Sequence, residues 1–545
     1  MKEFYKVLCV AALSIFSLSM YAQKEIIKVT PDYKIGQSGF GTVGNLNAAI
    51  ATVAANQGCG NVIFELERDA FYYSINEIRP DQQNLHLRAV AGTGRRPMIM
   101  AAANPVDGKF YQIFMNFTGN LTLEGIHILG TTTEGSQLDQ ALRTAAVNLR
   151  VIVNDCIIER NRDRVLRMNN AGTKAYFRNT IIRNLGQQTG GGNGVRVNTY
   201  CDSLVVQNCT FYNMNETVFS NMSNGLNYFE VSNCTFMNTG FASSTGIDVG
   251  RSKVALIADN VFYNVAFRRN SSYHNPFFIA SNMQGSSLPF KDVDRDIKII
   301  NNNWYVDDAV AKIYDDNYSQ ARDTLSRTIT VIAGNDTTTK VVPFKYIVGN
   351  VWLMDETLDS LYDGTPVLVA LKDSGVVTLS NNFKEKLTFN KPPAYPVLYV
   401  SSLIKSNWSN SIFANMELTS DTMYWVTENP ATPYDLSYNQ NAISATAGRN
   451  GRKIGAYKDW VTVGISNSIA NENKLSVYPN PTSSVLHIDT DYKALEIFNI
   501  TGNLMYQSVD NSNRILHVSN FKPGIYIISV RDLNDNKLVG KFVKR

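Results

Sequence analysis

The sequence predicts an all-β chain wound as a β-solenoid. Three features carry that prediction: a repeated phrase, columns of turn-forming residues within it, and a helical segment placed to close one end. The phrase reads LTLEGIHILG (121–130), VIVNDCIIER (151–160), AYFRNTIIRN (175–184), VVQNCTFYNM (205–214), EVSNCTFMNT (230–239), LIADNVFYNV (256–265) and IINNNWYVDD (299–308). Aligned after its turn, it gives an inward column of Ile126, Cys156, Thr180, Cys209, Cys234, Asn260 and Asn303, at steps of 30, 24, 29, 25, 26 and 43 residues. A repeat near that length with no helical period marks stacked units that bury a common core.

The preceding column is Gly125, Asp155, Asn179, Asn208, Asn233, Asp259 and Asn302. Gly, Asn and Asp tolerate left-handed backbone, and Asn and Asp bond to their own turns, so this column predicts one sharp corner per rung. Asn184, Asn213, Asn238 and Asn264 predict a second corner. Short apolar-alternating runs flank both, as strands require. Exposed terminal rungs must be capped. The segment 45–57 carries Leu46, Ala49, Ile50 and Val53 at helical spacing, followed by strand-like runs at 61–66 and 85–90.

A capping helix, rungs near 25 residues and an asparagine corner ladder resemble the right-handed parallel β-helix proteins of the pectate lyase and chondroitinase B-like superfamily. Residues 434–460 also resemble the closing segment of such proteins from Bacteroidetes, and the resemblance spans 23–463. It implies the fold; lyases, hydrolases and non-catalytic binders all use it. The repeat lapses between about 306 and 376 and resumes at VVTLSNNFKE (376–385), which predicts an insertion within one solenoid.

A net charge of only +4, with no basic run interleaved with aromatics, gives no basis for nucleic-acid binding. At the N-terminus, two lysines precede the apolar stretch 7–20 and a small residue, Ala22, which predicts a removable signal at 1–22. No later segment is apolar and long enough to span a bilayer, so no transmembrane segment is expected after signal removal. Cys59, Cys156, Cys201, Cys209 and Cys234 are then left, an odd number without zinc-site spacing. Cys156, Cys209 and Cys234 read as small buried hydrophobes.

Residues 475–545 alternate strands with turn residues, as a small antiparallel Ig-like sandwich does. Tyr478-Pro479-Asn480-Pro481-Thr482, Thr501-Gly502, Pro523-Gly524-Ile525-Tyr526 and the basic end Lys541 to Arg545 resemble the type A C-terminal sorting domain of the type IX secretion system. The resemblance implies handling by that secretion machinery and a secreted or outer-membrane surface-attached product. Residues 464–474 read as a linker.

The strand after each repeat phrase predicts a cleft-lining sheet from VLRMNN (165–170), GVRVNT (194–199), TVFSNM (217–222) and GIDVGR (246–251). Placing Leu166, Val195, Val218 and Ile247 inward puts Arg167, Arg196, Phe219 and Asp248 outward in one column. Asn169, Asn198 and Asn221 form another, with Arg164, Arg143 and Lys174 on flanking turns. Arginines stacked one rung apart repel unless an anion or Asp248 lies between them. They suit the carboxylates of an acidic polysaccharide, with Phe219, and Tyr200 or Tyr228, stacking on sugar faces. By resemblance, Arg196 and Arg167 are candidates for carboxylate binding or for the base of a β-elimination. Lys174 is the alternative base, and Asp248 orients substrate or binds a metal such as calcium. The strands lack the aspartate clusters of calcium-dependent pectate lyases and of polygalacturonase-like hydrolases. DVDRD (292–296) reads as a turn, and His274 as a loop histidine beside the cleft. Two readings follow: a lyase acting on uronate-containing glycans, or a non-catalytic surface glycan-binding protein or adhesin.

Overall fold

A computed structural model describes residues 24–310, apart from 39–40, 187–190, 222–223, 241–245, 266–276 and 280–287. It also describes 312, the strands 326–333 and 336–343, 375–393, 434–457 and most of 475–545. The signal segment, the linker and His274 lie outside the described residues. The chain divides into two compact units, Met1–Trp460 and Val461–Arg545.

The first unit is a parallel β-helix. Among the described residues its three sheets hold eleven, ten and seven strands, and each is laid down in chain order. One turn runs Leu121–Glu124 in the first sheet, His127–Thr132 in the second and Gln140–Thr144 in the third, then returns to the first at Arg150–Asn154. Successive rungs pair in parallel throughout, except for an antiparallel start where Tyr33–Lys34 meets Ala70–Ser74. The helix Asn45–Asn56 buries Leu46, Ile50 and Val53, as the spacing predicts, and closes the N-terminal end.

The corner columns do what their residue types require. Asp155, Asn179, Asn208, Asn233 and Asp259 all have φ between 51° and 60°, and Asn184, Asn213, Asn238 and Asn264 between 53° and 56°. Their amides join rung to rung: Asn208 Nδ2 donates to Asn179 Oδ1 at 2.9 Å and Asn264 Nδ2 to Asn238 Oδ1 at 3.2 Å. The last rung differs from the expected alignment by one residue. Val261 pairs with Asn303, the left-handed residue is Asn301, and Asn302 takes the inward place opposite Asn260. Inside, Phe211, Phe236, Phe262 and Trp304 stack at 4.8 Å, one rung each. Cys156, Cys209 and Cys234 are buried and free, as expected.

Asp296–Ile300 pairs directly with Val377–Ser380, so the sequence between them leaves and rejoins between adjacent rungs. Within it, Ser326–Ala333 and Asp336–Pro343 form an antiparallel ribbon. The segment 434–457 straps the outside of the second sheet. Tyr438 and Ile454 cover Tyr212, Met237 and Tyr263. Tyr457 N–H donates to Asn208 Oδ1 at 2.8 Å, and Arg449 Nε to Asp259 Oδ2 at 2.5 Å.

Among its described residues the second unit holds a three-stranded and a four-stranded antiparallel sheet around a core that includes Leu486, Leu495, Ile497, Ile528, Val530 and Phe542. Its Tyr-Pro-Asn-Pro-Thr motif is tied to the final strand. Asn480 Nδ2 donates to Lys541 O at 2.8 Å, and Val543 N–H and Thr482 N–H donate to Asn480 Oδ1 and Val543 O.

Candidate functional site

The third sheet runs from Ile113–Phe117 through Gln140–Thr144, Arg164–Met168, Asn193–Val197, Phe219–Ser220 and Ile247–Gly250 to Phe277–Ile279. Leu142, Leu166 and Val195 fill the core, which forces the next residue on each strand outward. Arg143, Arg167 and Arg196 therefore stand in register on three successive rungs. Asn116 precedes them, and Ser220 follows. Arg143 belongs to the column itself, not to a flanking turn, and its 24-residue step to Arg167 was the available sequence signal.

Two predicted members move. Phe219, not Val218, pairs with Val195, and it is 1 % exposed, edge-on to Phe211 at 5.4 Å and Phe229 at 5.7 Å. It fills the core between ring stacks and presents no face to a sugar. The same shift carries Asn221 inward, where its N–H donates to Asp248 Oδ2 at 2.8 Å and its Nδ2 to Asp248 O at 2.7 Å. Asn169 and Asn198 do pair, through Asn198 Nδ2 to Asn169 Oδ1 at 2.8 Å. Lys174 opens Lys174–Arg178 in the first sheet, 3.9 Å from Asp202, so it does not join the arginines. Tyr228 is also on the first sheet, with its hydroxyl donating to Glu230 at 2.7 Å, and Tyr200 leans on Phe290.

Arg164 lies on the strand as well, buried and ion-paired with Asp163. The Nε–H donors of Arg164, Arg167 and Arg196 are all buried and have no acceptor among the described residues. An unpaired buried donor costs about 1–3 kcal/mol, so these three guanidinium groups are energetically costly where they stand. Burial pushes the Arg167 and Arg196 pKa values down, and the charges of neighbouring arginines, Arg164 above all, add to the shift. A guanidinium starts high enough to stay cationic at neutral pH even so. The face is a concentrated, partly desolvated positive field.

Asp248 is buried, and its carboxylate already accepts from Asn221. Calcium takes several oxygen ligands. One engaged carboxylate beside an arginine column does not fit that ion, and among the described residues no three His, Cys, Asp or Glu side chains gather to hold a metal. Asp292–Asp294 is a turn whose Asp292 pairs with buried Arg295 at 2.9 Å. His127 sits on the second sheet and is buried against Glu159 at 2.8 Å.

No curated protein matches the chain. Among solved structures, an alginate lyase from Paenibacillus sp. str. FPU-7 is similar over 48 % of this chain and 85 % of its own, at 13 % identity and a TM-score of 0.32. So distant a likeness assigns no substrate. The family described as "Secretion system C-terminal sorting domain" matches residues 476–545. With that type IX sorting tail, the chain is a secreted or outer-membrane surface-attached protein built on a parallel β-helix.

Proposed function

We propose that the third sheet binds an acidic polysaccharide through uronate carboxylates. The observation that carries this reading is the in-register column Arg143–Arg167–Arg196, with the Nε donors of Arg167 and Arg196 buried and without an acceptor among the described residues. Three like charges one rung, ~4.8 Å, apart raise the energy of the empty face. A glycan carboxylate between them turns that repulsion into charge-assisted, two-pronged hydrogen bonds. The Asn169–Asn198 pair at the corner offers neutral partners for sugar hydroxyls. Export to the cell exterior suits such a ligand.

A second reading, β-elimination on the same glycan, is favoured by the lowered pKa values of Arg167 and Arg196. One arginine would hold the carboxylate and so acidify the neighbouring C–H. The other, acting through the small neutral fraction that a lowered but still high pKa leaves, would take that proton, and the glycosidic oxygen would leave with the electrons of the broken C–O bond. The test is absorbance near 235 nm while the purified protein is incubated with a panel of uronate polysaccharides, alongside retention in gels containing the same glycans. Retention without absorbance supports the binder, and a rise that Arg196→Ala abolishes supports the lyase. A chain that neither retains nor cleaves any of them sinks both readings.

A further inference from the structure

We propose a second acidic-sugar site on the outer face of the first sheet, around the corner from the arginine column. It is centred on Tyr176 and flanked by Arg150 and Lys174. It rests on the reading above only for the chemical class of its ligand.

The geometry starts from Ala175 and Phe177, which are buried in the core, so that Lys174, Tyr176 and Arg178 point outward from one strand. On the preceding rung Arg150 pairs in register with Lys174, and Ile152 with Tyr176. On the following rung Val205 takes the place beside Tyr176. The face therefore presents Ile152 and Tyr176 as an apolar strip that continues into buried Val205, bordered on one side by two stacked cations. The Arg150 guanidinium lies 5.9 Å from the Tyr176 ring centroid, and Arg178 lies at the same distance.

The two flanking arginines differ in freedom. Arg178 is held by its own rung, donating from Nε to Gln207 Oε1 at 3.2 Å, and Gln207 continues to Glu230 at 2.9 Å. Arg150 is exposed, and the Lys174 side chain is 44 % exposed. The carboxylate facing Lys174, Asp202, stands at 3.9 Å, too far for a hydrogen bond, and is itself 40 % exposed. Two cations one rung apart beside an aromatic ring suit a ligand with an apolar face and an adjacent anion. A uronate residue has both: axial C–H groups to lie on the ring and a carboxylate to sit between Arg150 and Lys174.

The corner between the two faces is short. Arg167 and Lys174 are seven positions apart, and the Asn169–Asn198 pair lies between them. The molecule would thus present acidic glycans with two faces that meet at one edge.

The test maps both faces separately on the purified full chain. Amines and guanidines are labelled with an acylating reagent and an arginine-selective dicarbonyl, with and without pectate, alginate or a glycosaminoglycan, and the labelled positions are read by mass spectrometry. The expected result is protection of Lys174 and Arg150 that persists in the Arg167→Ala/Arg196→Ala variant. Tyr176→Ala is expected to remove that protection and to lower affinity in that background about tenfold. Protection confined to Arg143, Arg167 and Arg196 overturns this proposal and leaves the earlier one standing. Protection confined to Lys174 and Arg150 does the reverse. Lys174 labelled equally fast with every glycan overturns the second site, whatever the third sheet does.

Discussion

Arg167 and Phe219 occupy the same sheet, and their substitution should separate binding from stability. Arg167→Ala or Arg196→Ala removes a solvent-side cation and relieves repulsion among its neighbours. Each is expected to weaken glycan binding by roughly ten- to a hundredfold, as loss of a charged hydrogen bond of ~1.5–3 kcal/mol implies. Thermal stability should be unchanged or slightly raised; calorimetric titration and a melting curve check both. Phe219→Ala leaves a hole between Phe211, Phe229 and Phe236. It is expected to cost about 3–5 kcal/mol of folding free energy, read by denaturant unfolding, while the folded fraction binds glycan normally. A binding loss without destabilisation would restore Phe219 to the site.

Glu159 supplies a pH test at the same scale. Its carboxylate is buried, but hydrogen bonds and charge from His127 and Arg183 outweigh that burial and hold its pKa well below the ordinary value of 4.5. A carboxylate whose folded pKa is depressed contributes stability above its unfolded pKa, and that stability is lost as pH falls toward the folded value. The melting temperature should therefore fall with acidification below about pH 4.5. Glu159→Gln should lower stability at neutral pH and flatten that acid slope. An unchanged slope would show that other carboxylates set it.

At the scale of elements, the strap 434–457 is the part whose role is structural. Tyr438 is buried, and its hydroxyl shares its one proton between Ile454 O at 2.7 Å and Ser444 O at 3.0 Å. Tyr438→Ala is expected to cost about 3 kcal/mol or more and to open the strap to limited proteolysis before the rungs are cut. Cleavage of the rungs at the same rate would mean that strap and solenoid unfold together. The rungs were largely legible in the sequence because strand alternation and left-handed corners are local demands on residue type. The last rung was misaligned because Asn301, Asn302 and Asn303 are chemically equivalent in sequence, and only pairing with Asp259 and Asn260 assigns the corner to Asn301. TVFSNM was misread for a similar reason: Val218 and Phe219 are both apolar, so alternation gives no register. The space beside the stacked Phe211 and Phe236 rings, which Phe219 meets edge-on, decides that it turns inward.

For the whole molecule, the net charge of +4 conceals a strongly uneven distribution. Arg143, Arg164, Arg167 and Arg196 gather on one sheet because rungs 24 to 29 residues long bring distant arginines to adjacent positions. Binding through such a field should weaken as the Debye length shrinks from ~10 Å at 0.1 M salt to ~3 Å at 1 M. Retention in glycan gels across a salt series checks this; salt-independent retention would point to stacking and neutral hydrogen bonds instead. By itself, the sequence determined the solenoid, its corners, its capping helix and its sorting tail, since each is a periodic or contiguous pattern that local backbone preference and hydrophobic alternation make visible. Only the tertiary structure decided which side chains share a face. It placed Arg143 in the column, turned Phe219 and Asn221 into the core, and moved Lys174 to another sheet. Those assignments depend on rung-to-rung register, and register is fixed by how neighbouring rungs fill one another's space.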